Sequence, residues 1–282
     1  MDLDAICGWN PIVEQAYSQR DTMLYALGLG YGEDPLDSRE LPFVYEHELK
    51  AVPAMCMVLA QNKFWLSDPI YGVDAVRLLH AEQAFEMHRP LADTGKVRAR
   101  FRVTGVEDKG PERGALLHQM KELVDAETEE PIASIRYTLM LRGNGGEGSF
   151  GEGSAVAAPL PRRAADLTME IRTRPGAALL YRLNGDYNPL HADPEVARKA
   201  GFDQPILHGL CTMGIACRAI LATYCDNDPA RLRGMFNRFT SPVFPGETLR
   251  FEFFEEPEGL NFRSIAMERD QVVLDRGRAT LA

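Results

Sequence analysis

Residues 181–209 read YRLNGDYNPLHADPEVARKAGFDQPILHG and hold the side chains best suited to chemistry. Asn184-Gly185-Asp186 and Asn188-Pro189 are turn formers, since Gly and Asn tolerate unusual dihedrals and Pro fixes its own. Asp193 followed by Pro194 starts a helix as N-cap and first helical residue, and Gly201 closes it. Asp186 and His191 therefore sit in a loop pinned on its C-terminal side. A carboxylate and an imidazole converging on one water would polarise it and shuttle its proton. The same pair also fits a plain role, with Asp186 capping a turn and His191 packed beneath it. Farther along, His208-Gly209 opens an apolar segment. The Gly209 N–H would be a free donor at the positive end of a helix, where a carbonyl oxygen gaining negative charge would be stabilised. Alternatively, Gly209 only lets the chain turn into the helix.

The elements that must position these groups show as a repeat. After Pro90 the chain has Gly95 and an alternating strand of Val97, Ala99, Phe101 and Val103; after Pro242 it has Gly246, then Leu249, Phe251 and Phe253. Further strand candidates follow at Ala115–Asp125 and 132–141 on one side and at 262–267 and 272–281 on the other. Period-two alternation marks antiparallel strands with one buried face. Each half also places an apolar helix candidate ahead of its strands. Gly209–Tyr224 is apolar nearly all round, as in a buried helix, and residues 53–61 are a shorter counterpart. The expected architecture is α+β: a curved antiparallel sheet around a buried helix, occurring twice. The halves are 1–142 and 162–282, joined by a Gly/Pro/Ala-rich linker at 143–161 that should be mobile. Gly143, Gly145 and Gly148 in that linker have GxGxxG spacing, but no helix is expected after them, so a dinucleotide site is disfavoured.

The chain has 282 residues, a formal net charge of −10, 45% hydrophobic and 26% charged residues. That is an ordinary globular composition, and the negative field argues against nucleic acid and anionic membranes as partners. No stretch approaches a membrane span and no secretory leader is evident. Five cysteines without a CxxC pair suit a reducing, cytoplasmic setting. The six histidines lack the short spacing of a metal site, and nothing implies a redox cofactor. Arg98, Arg100 and Arg102 form a basic stripe on one strand, read as a solvated face.

The run GDYNPLHADP followed by GFDQPILHGL resembles the signature of the MaoC-like (R)-specific enoyl-CoA hydratases, or hydratase 2. The resemblance spans nearly the whole chain and is closest to the double hot-dog hydratase unit of peroxisomal multifunctional enzymes type 2. DTMLYALGLG, FVYEHELKAVPAM, LLHAEQAFEMHRPL and RFTSPVFPGETL follow that unit in order. It implies Asp186 and His191 as the catalytic pair and Gly209 as the oxyanion N–H. Acyl-CoA contacts would fall on His80, Ala81, Lys109, Tyr187, Asn188, Pro189, Leu190 and Phe239. Taken alone, His80 reads as a helix histidine, Lys109 as a solvated turn lysine and Phe239 as core. The implied reaction adds water to trans-2-enoyl-CoA to give (3R)-3-hydroxyacyl-CoA. It needs no cofactor, since CoA belongs to the substrate, and a homodimer is expected.

The first half lacks Asp-x-Asn-Pro-x-His and is expected to bind substrate without performing chemistry. Its shorter helix would leave room for a larger acyl group, with Met55, Met57 and Val58 as lining. Three alternatives stand beside the hydratase. One is a related enzyme for a branched, dicarboxylic or steroid side-chain enoyl-CoA, and the others are a hot-dog thioesterase and a non-catalytic acyl-CoA binding protein.

Overall fold

The computed structural model describes residues 1–153, 157–257 and 259–282. Its core is one antiparallel sheet. In chain order the strands are β1 (Ile12–Tyr17), β2 (Leu78–Met87), β3 (Gly95–Asp108), β4 (Ala115–Asp125), β5 (Pro131–Leu141), β6 (Phe150–Gly151), β7 (Leu167–Arg172), β8 (Leu232–Phe239), β9 (Thr248–Glu256), β10 (Gly259–Ala266) and β11 (Gln271–Leu281). They lie side by side as β1-β3-β4-β5-β2-β8-β11-β10-β9-β7, with β6 paired to β3. The order in the second half mirrors that in the first, so the repeat seen in the sequence is a repeat of topology. β2 and β8 meet at the seam.

On β3, Val97, Ala99, Phe101 and Val103 are buried, and the alternating arginines face out. That basic stripe is answered by carboxylates: Arg98 pairs with Glu14 and Glu129, Arg100 with Glu129, and Arg102 reaches Glu122 at 3.8 Å. The helices are α1 (Leu3–Cys7), α2 (Gln19–Gly28), α3 (Ala177–Tyr181), α4 (Pro194–Lys199) and α5 (Gly209–Tyr224). Every residue of α5 from Cys211 to Leu221 is buried, as its all-round apolar sequence requires. Its one arginine, Arg218, is neutralised there by Glu40, with Nε to Oε1 at 2.7 Å. Among the described residues no helix is long and apolar enough to cross a membrane.

Two expectations are corrected. The helix expected over 53–61 is only a 3₁₀ turn, Pro53–Met57. Ala60 adopts a left-handed φ of 47°, and the Met57 and Leu59 carbonyls accept the Lys121 Nζ instead of continuing a helical ladder. Met55, Met57 and Val58 are buried in the core. The glycine-rich segment at 143–161 begins as packed structure. Asp108 Oδ1 accepts the Gly110 and Gly146 N–H groups and its Oδ2 accepts that of Gly148, before the chain enters β6. A Cβ on Gly145 would stand 2.3 Å from the Gly110 carbonyl oxygen. Ser154, Ala155 and Val156, also within the expected linker, lie outside the described residues.

Lys121 is fully buried, donating to the Met57 and Leu59 carbonyls at 3.0 and 2.8 Å. Burial pushes its ammonium from 10.5 down to about 7. Across the interval between those values the unfolded chain binds more protons than the folded one, so stability rises with pH there. Lys121→Met should flatten that rise. Thermal unfolding followed across the interval checks this, and parallel profiles for the two proteins would contradict it.

Candidate active site

The loop that carries the candidate residues is built by local chemistry. α3 runs into a 3₁₀ turn, Arg182–Asn184, and Gly185 reverses the chain at φ 115°, a conformation that favours glycine. Asp186 Oδ1 then accepts the Asn188 N–H at 3.1 Å, and Asn188 Oδ1 accepts the Leu190 N–H at 3.0 Å. Pro189 opens a single turn, Pro189–His191. Asp193 caps α4 through the Glu195 N–H at 2.8 Å, and Gly201, at φ 88°, follows its last residues. The helix expected from Asp193-Pro194 and Gly201 is therefore present.

Two histidines tie this loop to the start of α5. His191 is buried, and its Nδ1 lies 2.8 Å from the Ile206 carbonyl oxygen. A carbonyl only accepts, so Nδ1 carries the proton and Nε2 is left with a lone pair. His208, the N-cap residue of α5, places Nε2 3.2 Å from the Asp186 main-chain oxygen. Its Nδ1 is buried without a partner among the described residues. The two rings stack at 3.7 Å with 27° between planes. Burial lowers the pKa of His191 and pushes His208 down to about 4, the neighbouring His191 adding to the second shift. Asp186 keeps solvent access.

One donor atom from each of Asp186, His191 and His208 lies within 4.8 Å of the others, so among the described residues these are the ones that could hold a metal ion. Ring planes only 27° apart keep the in-plane lone pairs side by side, whereas zinc needs them to meet about 2 Å from each nitrogen. The arrangement suits proton transfer better. It offers one open carboxylate, one neutral imidazole with a fixed lone pair, and the first-turn N–H of Gly209 at the positive end of a long helix.

Other expected residues gather here. Gly209 lies flat beneath Phe239, whose ring carbons would stand 3.2–3.4 Å from a Cβ at that position. The Phe239 ring is 4.9 Å from that of His80. His80 is on strand β2 and not on a helix, beside a bulge between His80 and Glu82 that includes Ala81. Burial pushes its imidazole down to about 4, with the Asp186 charge opposing. Tyr187 is exposed, its ring 5.0 Å from the Arg182 guanidinium, and Pro189 is exposed beside partly buried Leu190. Lys109 is elsewhere, at the β3–β4 turn, and pairs with Glu107. Three strand spacings, roughly 14 Å, separate β3 from β2. His208 was not among the expected site residues. The signal available was its place directly before the helix-opening glycine.

Comparison with known proteins gives the family. A model of the MaoC like domain matches residues 156–276, and one of the MFE-2 hydratase 2 N-terminal domain matches residues 15–143. The peroxisomal enoyl-CoA hydratase 2 of Arabidopsis thaliana is 37% identical over 280 residues, covering 94% of this chain and 90% of that protein. The peroxisomal multifunctional enzyme type 2 of Mus musculus is 32% identical, covering 96% of this chain but 37% of the longer enzyme. The crystal structure of a MaoC-like dehydratase from Phytophthora capsici superposes with a TM-score of 0.88 at 33% identity, covering 100% of this chain and 99% of that one. A double hot-dog fold with a carboxylate–imidazole loop at the start of the second-half helix defines a MaoC-like protein. The chain belongs to the enoyl-CoA hydratase 2 family.

The hydrogen bonds fix opposite tautomers on the stacked rings: Nδ1–H on His191 and Nε2–H on His208. Nitrogen-detected NMR of the two imidazoles near neutral pH should show both neutral and in these forms. An Nε2–H tautomer on His191 would refute the arrangement.

Proposed function

We propose that the chain is an (R)-specific 2-enoyl-CoA hydratase, a hydro-lyase that adds water reversibly to trans-2-enoyl-CoA. The observation that carries this reading is the clustering of the Asp186 carboxylate with the rings of His191 and His208, one polar atom of each within 4.8 Å of the others, at the start of α5. A thioester oxygen at the Gly209 N–H would place C3 before a water held by Asp186 and His191. The water oxygen bonds to C3, and the C2=C3 electron pair moves toward the thioester as an enolate. One water proton passes to the Asp186–His191 pair. The Gly209 N–H and the helix dipole stabilise the enolate oxygen. The pair then returns a proton to C2, so the sum is one water added. The reaction needs no cofactor, because CoA is part of the substrate.

In this reading residues 162–282 are the catalytic half, residues 1–142 the binding half, and 143–161 their connection. His80, Ala81, Tyr187, Asn188, Pro189, Leu190 and Phe239 line the path of the acyl-CoA. Lys109 meets a CoA phosphate as a point charge, exchanging Glu107 for it. A homodimer and a cytoplasmic location complete the reading. Four of the five free cysteines are buried, as expected of core thiols.

Asp186→Asn and His191→Ala should each lower kcat by about 10²–10⁴. Because the two act on one water, the double variant should be barely worse than either single one, and additive losses would count against the shared water. The product should be (3R)-3-hydroxyacyl-CoA. Coupling it to dehydrogenases specific for each enantiomer reads this directly, and a purely 3S product would overturn the assignment.

A further inference from the structure

Behind His80 and Phe239 the sheet presents a row of polar side chains where an alkyl group would prefer hydrocarbon. Gln119 on β4 is opposite Tyr137 on β5, Tyr137 is opposite Gln83 on β2, and Gln83 is opposite Asn237 on β8. Directly opposed residues of antiparallel strands share a face, so the four form one row across the seam. Asn237 precedes Phe239 by two residues and points the same way, toward the face covered by α5, about 7 Å farther from the reacting centre. The next row is apolar apart from Lys121, with Met235, Phe85 and Ile135 in register. The polar row thus lies between the reacting centre and the apolar floor.

Its central members are not fully matched. Gln83 and Asn237 are both 0% exposed. Among the described residues Asn237 Oδ1 and Nδ2 have no hydrogen-bond partner, and Gln83 Oε1 has none beyond the neighbouring His80 imidazole. Buried polar atoms are costly when unpaired, so a set of them around one spot marks a place for a polar guest. Along the same face His80, Tyr137, Leu139 and Phe239 keep partial exposure, which opens the row toward the site. Gln83 Nε2 is engaged with the Ala84 carbonyl at 3.2 Å, and Oε1, which faces the His80 imidazole, keeps a second lone pair as the remaining acceptor. An acceptor on Gln83 beside a donor and an acceptor on Asn237 fits a hydroxyl, which both donates and accepts. A carboxylate would find no cation free to neutralise it in this row. The nearby Lys121 is in the next row and is committed to two carbonyls.

Resting on the hydratase reading, we propose that the preferred substrate is an enoyl-CoA whose acyl chain bears a hydroxyl a few carbons beyond the reacting double bond, bound by Asn237 and Gln83. A methylene at that position leaves the amides unpaired, and sites built to bind a hydroxyl discriminate strongly against the analogue lacking it. The test compares a medium-chain 2-enoyl-CoA with isomers of equal length carrying one hydroxyl at successive chain positions. The best isomer should exceed the alkyl ester in kcat/KM by roughly tenfold or more. Asn237→Leu, and separately Gln83→Leu, should reverse that preference by lowering the hydroxylated and raising the alkyl value. Wild-type protein that favours the alkyl ester over every isomer, or treats them all alike, overturns the proposal and leaves the row to water. Hydration of none of these esters is a failure of the hydratase reading. Calorimetric binding of the saturated pair, with and without the hydroxyl, then still decides the proposal: tighter binding of the hydroxylated thioester supports it, and equal or weaker binding overturns it.

Discussion

The antiparallel pairing of β2 with β8 is the contact that makes one site out of two halves. Each half-sheet alone would end in an unpaired strand edge, and joining them removes both edges at once. The join is tightly registered. Glu82 opposes Arg238 with Oε1 to Nε at 2.9 Å, and Gly234 stands where a Cβ would come 2.9 Å from the Phe85 carbonyl oxygen. A slip of one residue would put Gln83 and Asn237 on opposite faces and part His80 from Phe239, because side chains alternate between faces. The register therefore decides which groups of the first half face the loop of the second.

The other fixed point is α5. Its N-terminus must stay beneath Phe239 and beside the Asp186 loop, yet a buried helix with a charged residue needs that charge answered. Glu40 does so from the first half, and Arg218 also donates to the Leu29 carbonyl at 3.3 Å and lies 5.1 Å from the Tyr31 ring. Gly214 lets the helix approach Leu29 to 2.5 Å from where a Cβ would be. So the helix that offers its first N–H to the site is held by first-half residues along its length. Loss of the matching long helix in the first half does not unsettle the fold, because Lys121 takes up the carbonyls left when Pro53–Met57 stops short.

Legibility in the sequence followed the range of the interaction. The turn at Gly185, the cap at Asp193 and the fully apolar helix are local, and each was readable from residue type. Strands β3 and β9 showed as clean alternation. β2 did not, because the bulge between His80 and Glu82 shifts the period and buries Glu82, Gln83, Ala84 and Phe85 in succession. That run resembles a buried helix, which is why His80 read as a helix residue. Residues 53–61 failed for the opposite reason. The run is apolar enough for a helix, and only the distant Lys121 and the turn at Ala60 reveal otherwise. The polar row across the seam was beyond reach, since each member is ordinary alone and the row exists only through pairing.

The electrostatic character of the site follows from how little charge is placed in it. His80, His191 and His208 are all shifted toward the neutral form by burial, and Asp186, whose charge opposes each shift, faces solvent. A second carboxylate inside would favour protonated imidazoles and remove the lone pair that His191 needs. The stacking of His191 on His208 works in the same direction, because two imidazolium rings 3.7 Å apart would repel. Positive potential comes from the Arg182 guanidinium, which also lowers the pKa of both His191 and His208, and from the α5 dipole, which cannot be titrated and acts at Gly209 whatever the protonation of the loop. Proton transfer and oxyanion stabilisation are thereby assigned to different kinds of group, one ionisable and one not, and the buried helix keeps them at a fixed separation.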